Sequence, residues 1–376
     1  MTSTVAVIGG GYGGITVAEA LDEIADVRLI EPRDTFVHNV AALRAVADPT
    51  WIDQMFLPYD GLLTHGKVVR DSAALVEPNA VTLGSGERVE ADYIVLATGS
   101  HYPFPAKVDQ GAAAPAAARF RALNQQLASV KHVLLLGAGP VGLELAGEIK
   151  AVWPDKDVTI LDPADQLVSG DYPADFRAEL GRQLDSLGVN LRLGTSLAAE
   201  PPGAPAVAGA FAVNTTRGET INADIWFRCH GTQPTSDYLS PQLASARQAD
   251  GHIRVTDRLS LPGTPNVFAI GDVTAIPESK RAQAAAAHAQ VVATNIGALI
   301  AGGDATATYE AAPDAIVLPL GPKGGASYTP AYGVMGASQT SEIKGRDLFI
   351  GRYRSVLGLD EPTPKQEKVA TGSDGR

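Results

Sequence analysis

The amino-acid sequence predicts an α/β fold with two Rossmann-like dinucleotide-binding domains and a small C-terminal α+β domain. Three observations predict it. Val5 to Ile8 runs into Gly9-x-Gly11-x-x-Gly14, and Val133 to Leu136 runs into Gly137-x-Gly139-x-x-Gly142. Each run is followed by a helical stretch and then a second short apolar strand. Each second strand ends on an acid, Glu31 in the first unit and Asp162 in the second. A GxGxxG run carries meaning only between a strand and a helix, and that context occurs twice here.

Within the first unit, Gly9 allows the tight turn, Gly11 lets backbone approach a pyrophosphate, and Gly14 lets helix and strand pack closely. The helix over Ile15 to Leu21 aims its free N–H groups and positive dipole end at that pyrophosphate. Glu31, closing the strand Val27 to Ile30, is placed to accept hydrogen bonds from a ribose diol. The stretch from Pro32 to Asp48 follows, with His38 to Arg44 in its middle; it lies just past the ribose site, where a long cofactor would continue, and the alternative is an ordinary surface helix. Residues 67 to 95 alternate short apolar runs with turn signals, the pattern of a small antiparallel excursion. Its last strand runs through Ile94 and Leu96 into Thr98-Gly99, where backbone can come close to a ligand.

An Ala-rich helix to Val130 leads to the second unit, with a helix over Leu143 to Val152 and a strand over Val158 to Leu161. Asp162 accepts from a 2′-hydroxyl and repels a 2′-phosphate, and no Arg or Lys follows in Pro163-Ala164-Asp165. The second cofactor therefore reads as NADH, with NADPH the alternative. An amphipathic helix over 173 to 188 ends at Gly188, strands follow at 189 to 193 and 210 to 215, and 199 to 209 is a Pro/Ala/Gly loop. The strand at 223 to 227 ends in Cys229-His230-Gly231, echoing Thr98-Gly99 in the first unit. Thr264 to Ile270 then runs into Gly271-Asp272 and a helix from about Arg281. There the carboxylate can bind a polyol hydroxyl, and the helix N-terminus supplies positive potential.

Composition narrows the function. With 19% charged residues, 45% hydrophobic residues, 39 Gly and 25 Pro, the chain suits a loop-rich folded α/β protein rather than a disordered one. A net charge of −12 argues against a nucleic-acid partner. The single cysteine, Cys229, excludes an intramolecular disulfide, a CxxC redox pair and a thiolate zinc site. No metal site is expected. Val5 starts a strand too early for a signal peptide, Thr2 replaces the glycine that myristoylation needs, and Ala282 to Ala301 carries His288, Gln290 and Asn295 where a spanning segment would be apolar. The expectation is a cytoplasmic protein that is not secreted.

Taken in order, the two fingerprints, Ala97-Thr98-Gly99 and Ala269-Ile270-Gly271-Asp272 resemble the two-dinucleotide-domain flavoproteins, in which an NAD(P)H domain is inserted into an FAD domain. Phe36 to Arg44, Ala97 to Ser100 with Pro103-Phe104-Pro105, Glu144 to Lys150 and Lys344 to Phe349 sharpen this to the ferroptosis suppressor protein group. That group consists of NAD(P)H:quinone oxidoreductases related to apoptosis-inducing factor and to type II NADH dehydrogenases. The resemblance implies an FAD domain at 1–118 and 236–308, an NAD(P)H domain at 119–235, a C-terminal domain at 309–360 and a flexible tail at 361–376. It implies that Glu31, Asn39, Val40, Ala41, Thr98, Gly99, Gly271 and Asp272 contact FAD. It gives Glu144 a place near the nicotinamide and Lys344 a place on the quinone side; as catalytic residues the two would pair to stabilise charge on reduced flavin or quinol, and the alternative is that each makes a separate structural ion pair.

The chain departs from the group at Thr2, where the mammalian members carry a myristoylated glycine, and at Asp162, where they lack an acid. With no cysteine pair, electrons must pass from reduced flavin directly to an acceptor. A quinone is the expected acceptor; the alternatives are a small iron–sulfur carrier, or a non-enzymatic redox-signalling flavoprotein. The aromatic residues Tyr309, Tyr328, Tyr332, Phe349 and Tyr353 read either as an acceptor channel or as core. Leu348, Phe349, Ile350, Tyr353, Val356 and Leu357 beside Lys344, Arg346, Arg352 and Arg354 read either as a peripheral membrane face or as a cover on the FAD domain. A homodimer is the remaining partner expectation.

Overall fold

A computed structural model describes residues 2–109 and 111–359. The segment 361–376, expected to be a flexible tail, lies outside the described residues.

The first unit runs Thr4–Ile8 (β1), Tyr12–Leu21 (α1), Asp26–Ile30 (β2), Ala42–Ala47 (α2), Lys67–Val69 (β3) and Tyr93–Leu96 (β4). Ala113–Ser129 (α3) leads to the second unit: His132–Leu136 (β5), Pro140–Val152 (α4), Asp157–Asp162 (β6), Ala174–Ser186 (α5), Val189–Leu193 (β7) and Ile225–Arg228 (β8). The chain then returns through Ser260–Leu261 (β9), Thr264–Ala269 (β10) and Ala282–Ile300 (α6). It ends in Ile316–Leu320 (β11), Gly324–Thr329 (β12), Gly333–Met335 (β13), Ala337–Thr340 (α7) and Ile350–Val356 (α8).

Pairing gives a six-stranded sheet ordered β9–β10–β4–β1–β2–β3 and a four-stranded sheet ordered β7–β6–β5–β8. The β1–β2, β1–β4, β4–β10 and β2–β3 pairs are parallel, as are all pairs of the second sheet. Parallel strands are covered on both faces, which is why Val5, Ala6, Val7, Ile94, Val95 and Leu96 are all fully buried and show no alternation. β11–β12–β13 form an antiparallel sheet that lies on α4 and α5. Gly147 lets this happen: a Cβ on it would come within 2.4 Å of the Leu320 backbone.

One local reading changes and one alternative falls. Lys67–Val69 does not belong to the antiparallel excursion; it pairs in parallel with β2, and the excursion is the three-stranded sheet of 73–77, 80–83 and 88–90. The helix after Glu31 is not a surface helix. Every residue of α2 is buried, including Arg44 at 2% exposure, because α2 is wedged between α3 and α4.

The C-terminal alternatives also separate. Leu348, Tyr353 and Leu357 are buried in the same cluster or the adjoining one as the first sheet and α1. The Tyr353 ring stacks on Phe36 at 5.7 Å and meets Tyr12 at a tilt at 4.7 Å. The segment's apolar side is therefore a cover on the first unit. Among the described residues no helix is long and apolar enough to cross a membrane.

Candidate active site

The two fingerprints fold alike because their glycines do different jobs. Gly9 and Gly137 hold φ of +102° and +123°, a region only glycine enters cheaply. A Cβ on Gly14 would lie 1.8 Å from the Gly9 carbonyl oxygen, and one on Gly142 would lie 2.0 Å from that of Gly137. Gly11 and Gly139, by contrast, have nothing within 4 Å of the same position. Each middle glycine therefore opens onto space at the start of a helix. α1 begins at Gly11 and α4 at Gly139, with no side chain capping either. The first N–H groups of both helices are left for an anionic ligand. Gly99 and Gly231, at the ends of β4 and β8, face open space in the same way.

The acids are held by the turns they follow. Glu31, 2% exposed, accepts from Gly10 N–H at 2.7 Å and Arg33 N–H at 2.9 Å. Asp162 accepts from Ala138 N–H at 2.7 Å and Ala164 N–H at 2.8 Å. Each carboxylate keeps lone pairs for a diol. Gly137, Gly139, Asp162 and Gly231 line one cavity of about 380 Å³, which also touches Tyr102, Val168 and Cys229. The two cradles therefore fit two dinucleotides.

At the first cradle, Asp272 is not alone. Its Oδ2 accepts from Lys107 Nζ at 2.9 Å and Ser100 Oγ at 2.6 Å. Burial opposes its charge, but Lys107 and Ser100 hold the carboxyl below the usual range. Gly271 N–H donates to His288 Nδ1 at 2.9 Å, and His288 Nε2 lies 2.8 Å from Glu278 Oε1. Asn39 Oδ1 accepts from Val108 N–H at 3.3 Å, and Val40 N–H donates to the Tyr12 hydroxyl at 3.0 Å. Ala41 is fully buried beneath them. Thr98 Oγ1 is engaged with the Thr235 carbonyl and the Tyr238 hydroxyl, so it shapes the turn while Gly99 leaves it open.

Next to Asn39, His38 is completely buried, and burial takes its pKa down to about 4. Its Nε2–H donates to the Leu348 carbonyl at 2.8 Å, and its Nδ1 lies 3.3 Å from the Tyr12 hydroxyl. This neutral imidazole ties the segment that carries Lys344 to the first fingerprint.

Glu144 and Lys344 meet: Lys344 Nζ lies 2.8 Å from Glu144 Oε1, with both side chains largely enclosed at 14% and 13% exposure. One turn further along α4, Glu148 forms a second, deeper pair with Arg44. Arg44 Nη2 donates to Oε1 at 2.8 Å, and Nε reaches both oxygens at 3.1 Å. Arg44 Nη1 also donates to the Arg346 carbonyl at 3.3 Å. One face of α4 thus holds a cation from the first unit and another from the C-terminal segment. The sequence reading assigned no role to Arg44, Glu148, Lys107 or Ser100. The i, i+4 spacing of Glu144 and Glu148 was the available signal for the first two.

Cys229 is buried against Gly137, and burial pushes its thiol up to about 12. Burial thus disfavours the thiolate, the nucleophilic form. Among the described residues no group of three or more His, Cys, Asp or Glu could hold a metal ion.

The comparisons agree with this geometry. The chain is 30% identical over 377 residues to apoptosis-inducing factor homolog B of Dictyostelium discoideum, covering 95% of this chain and 97% of that one. It is 29% identical to ferroptosis suppressor protein 1 of Xenopus laevis, over 95% and 96% of the two chains. The fold superposes with a TM-score of 0.72 on the structure of NDH2 from Plasmodium falciparum in complex with NADH, at 13% identity and 95% coverage of each chain. Residues 3–290 match the pyridine nucleotide-disulphide oxidoreductase family. The chain belongs to that family and is an FAD-dependent oxidoreductase that draws its electrons from NAD(P)H.

Proposed function

We propose that the chain passes electrons from NADH through bound FAD to a quinone. The observation that carries this reading is the Lys344–Glu144 pair, together with a single, buried cysteine. A family named for disulphides commonly needs a thiol pair; here the acceptor must meet the flavin itself. The resemblance to the ferroptosis suppressor protein group supports the same reading, and one similar solved structure, at a TM-score of 0.70, is that of a sulfide:quinone oxidoreductase. Bound FAD would supply the two-electron exchange that no side chain of this chain offers.

The residues then divide the work. Glu31 would bind the adenosine ribose of FAD, and the first turn of α1, with Gly9, Gly11 and Gly14, its pyrophosphate. Asp272, fixed by Lys107 and Ser100, would take the ribityl chain, while Asn39, Val40, Ala41, Thr98 and Gly99 border the flavin. Gly137, Gly139, Gly142, Asp162 and Gly231 would hold NADH, with Asp162 favouring the unphosphorylated ribose. Glu144 would face the nicotinamide. Lys344 would offer a positive charge to the reduced acceptor, with Glu144 holding its ammonium in place. We assign residues 1–118 and 236–308 to the flavin domain, 119–235 to the NADH domain and 309–360 to the C-terminal domain. A peripheral membrane contact would now rest on exposed Arg352 and Arg354 with half-buried Phe349 and Ile350.

The test is anaerobic stopped-flow. NADH is mixed with the purified flavoprotein, and a short-chain ubiquinone or menaquinone analogue follows, with the flavin band read at about 450 nm. Fast bleaching followed by fast quinone-dependent recovery is the expected result. Bleaching with recovery only on addition of a small iron–sulfur protein would refute the quinone assignment. A reduced form that persists with every acceptor would refute enzymatic turnover.

A further inference from the structure

The wall of the Asp162 cavity includes a turn under strain. Val168 lines that cavity at φ +54°, left-handed backbone that a β-branched residue rarely adopts, and Gly170 follows at +109°. Val168 N–H donates to the Ala138 carbonyl at 3.0 Å, which presses the turn against the second fingerprint. Such a conformation persists only where its surroundings over-determine it.

One side chain does this. Arg177, in the first turn of α5, donates from Nε to the Leu167 carbonyl at 2.9 Å. Its Nη2 donates to the Val168 carbonyl at 3.2 Å and to the Gly170 carbonyl at 2.6 Å, and its Nη1 to the Tyr172 carbonyl. Four carbonyls of one turn converge on one guanidinium, and among the described residues Arg177 has no carboxylate partner. The rigid five-donor fork matches this arrangement in a way a lysine ammonium cannot. The far end of the turn is anchored outside its own unit. Arg281 Nη2, at the start of α6, donates to the Tyr172 hydroxyl at 2.5 Å, and the Tyr172 ring meets Tyr328 edge-on at 6.2 Å.

We propose that Arg177 is a positioning residue for the nicotinamide nucleotide: by clamping the strained turn 167–172 it holds the cavity wall in its binding shape before the nucleotide arrives. This rests on the assignment of the cavity to NADH. The four bonds of Arg177 all go to carbonyls of 167–172 and to no residue assigned to the flavin, so its loss should weaken nucleotide binding and leave flavin retention alone.

The test compares wild type, Arg177→Lys and Arg177→Gln as flavin-loaded proteins, using calorimetric titration with NAD⁺ and stopped-flow reduction by NADH. Arg177→Lys should bind NAD⁺ about tenfold more weakly, the scale of one or two lost hydrogen-bonded positions. Its flavin content should be unchanged, and its rate of flavin reduction at saturating NADH should stay within about twofold of wild type, since the clamp shapes a binding wall rather than the reacting groups. In a Val168→Gly background, where the turn carries no left-handed strain, the penalty of Arg177→Lys should shrink to under about threefold. Variants that bind NAD⁺ as wild type does overturn the clamp alone. Wild-type protein that binds no NAD⁺ overturns the cavity assignment, and the clamp with it. Hydrogen exchange on wild type gives an answer that needs no variant. A Val168 amide protected before NAD⁺ is added supports a preformed wall, and the same amide exchanging freely until it is added overturns it.

Discussion

Replacing Arg44 by methionine removes one half of an ion pair that joins α2 to α4. The side chains of Arg44 and Glu148 are 2% and 5% exposed, with three nitrogen–oxygen contacts between 2.8 and 3.1 Å. Arg44→Met strands the Glu148 carboxylate in the interior, four residues from Glu144 on the same helix face. Removing one partner of a buried pair costs about 3–5 kcal/mol. At about 2–4 °C per kcal/mol for units of this size, the melting temperature should fall by about 6–20 °C.

The pH dependence gives the loss a signature. Burial already raises the Glu148 carboxyl, and Arg44 is the main group pulling it back down. Without Arg44 its folded pKa climbs further above the unfolded value. The folded state then binds the proton more tightly, so the contribution is favourable at low pH and is lost as pH rises from the unfolded to the folded pKa. The gap between variant and wild type, read by differential scanning fluorimetry, should be smaller at pH 5 than at pH 8. Arg44→Met with Glu148→Met, which leaves no lone charge, should regain most of the loss. A single variant that melts within about 2 °C of wild type at pH 8, or with the same gap at both pH values, would show that this pair does not join the units.

Four further outcomes follow from the site. Gly14→Ala puts a methyl 1.8 Å from the Gly9 oxygen and should yield protein without the yellow flavin band; Gly142→Ala, with its clash at Gly137, should keep the band and lose NADH reduction by at least about tenfold. Absorbance spectra before and after NADH decide both. Asp162→Ala should shift the NADH-to-NADPH ratio of kcat/KM toward NADPH by about tenfold, or about 1.4 kcal/mol, in steady-state assays. Lys344→Ala should keep its flavin and its NADH half-reaction while quinone turnover drops at least about tenfold; turnover at the wild-type level removes Lys344 from the mechanism.

The parts legible in the sequence were those in which one short segment carries its own geometry. Each fingerprint is strand, turn and helix within a few residues, and the acid that follows it bonds to its own turn. Longer-range pairing was not legible. Lys67–Val69 is three residues long and gives no hint that its partner is β2. α2 is six residues of mostly apolar side chains buried on all sides, so it has no periodicity to set it apart from a surface helix. Lys107 meets Asp272 only because the chain returns to complete its first unit, and Arg44 meets Glu148 only because separate units fold together. The Glu144–Lys344 pairing was anticipated through resemblance, since nothing local joins residues so distant in the chain. At Leu348 and Phe349 the backbone turns left-handed twice in succession, at φ +52° and +62°, in residues whose composition suggested an apolar surface stripe.

The order of strands in the first sheet has a consequence for how the protein is made. β4 lies between β1 and β10, and α1 packs on α6, yet β10 and α6 are the last of these to leave the ribosome. All four strands of the second sheet lie within residues 132–228 and are translated before them. The nascent chain therefore completes its middle first. Until residues 264–269 emerge, Tyr93–Leu96 is an open edge with three fully buried-to-be side chains exposed to other chains. A messenger cut short near codon 250 would deliver a finished nucleotide domain fused to a sticky half-domain, so quality control of this polypeptide turns on its final third.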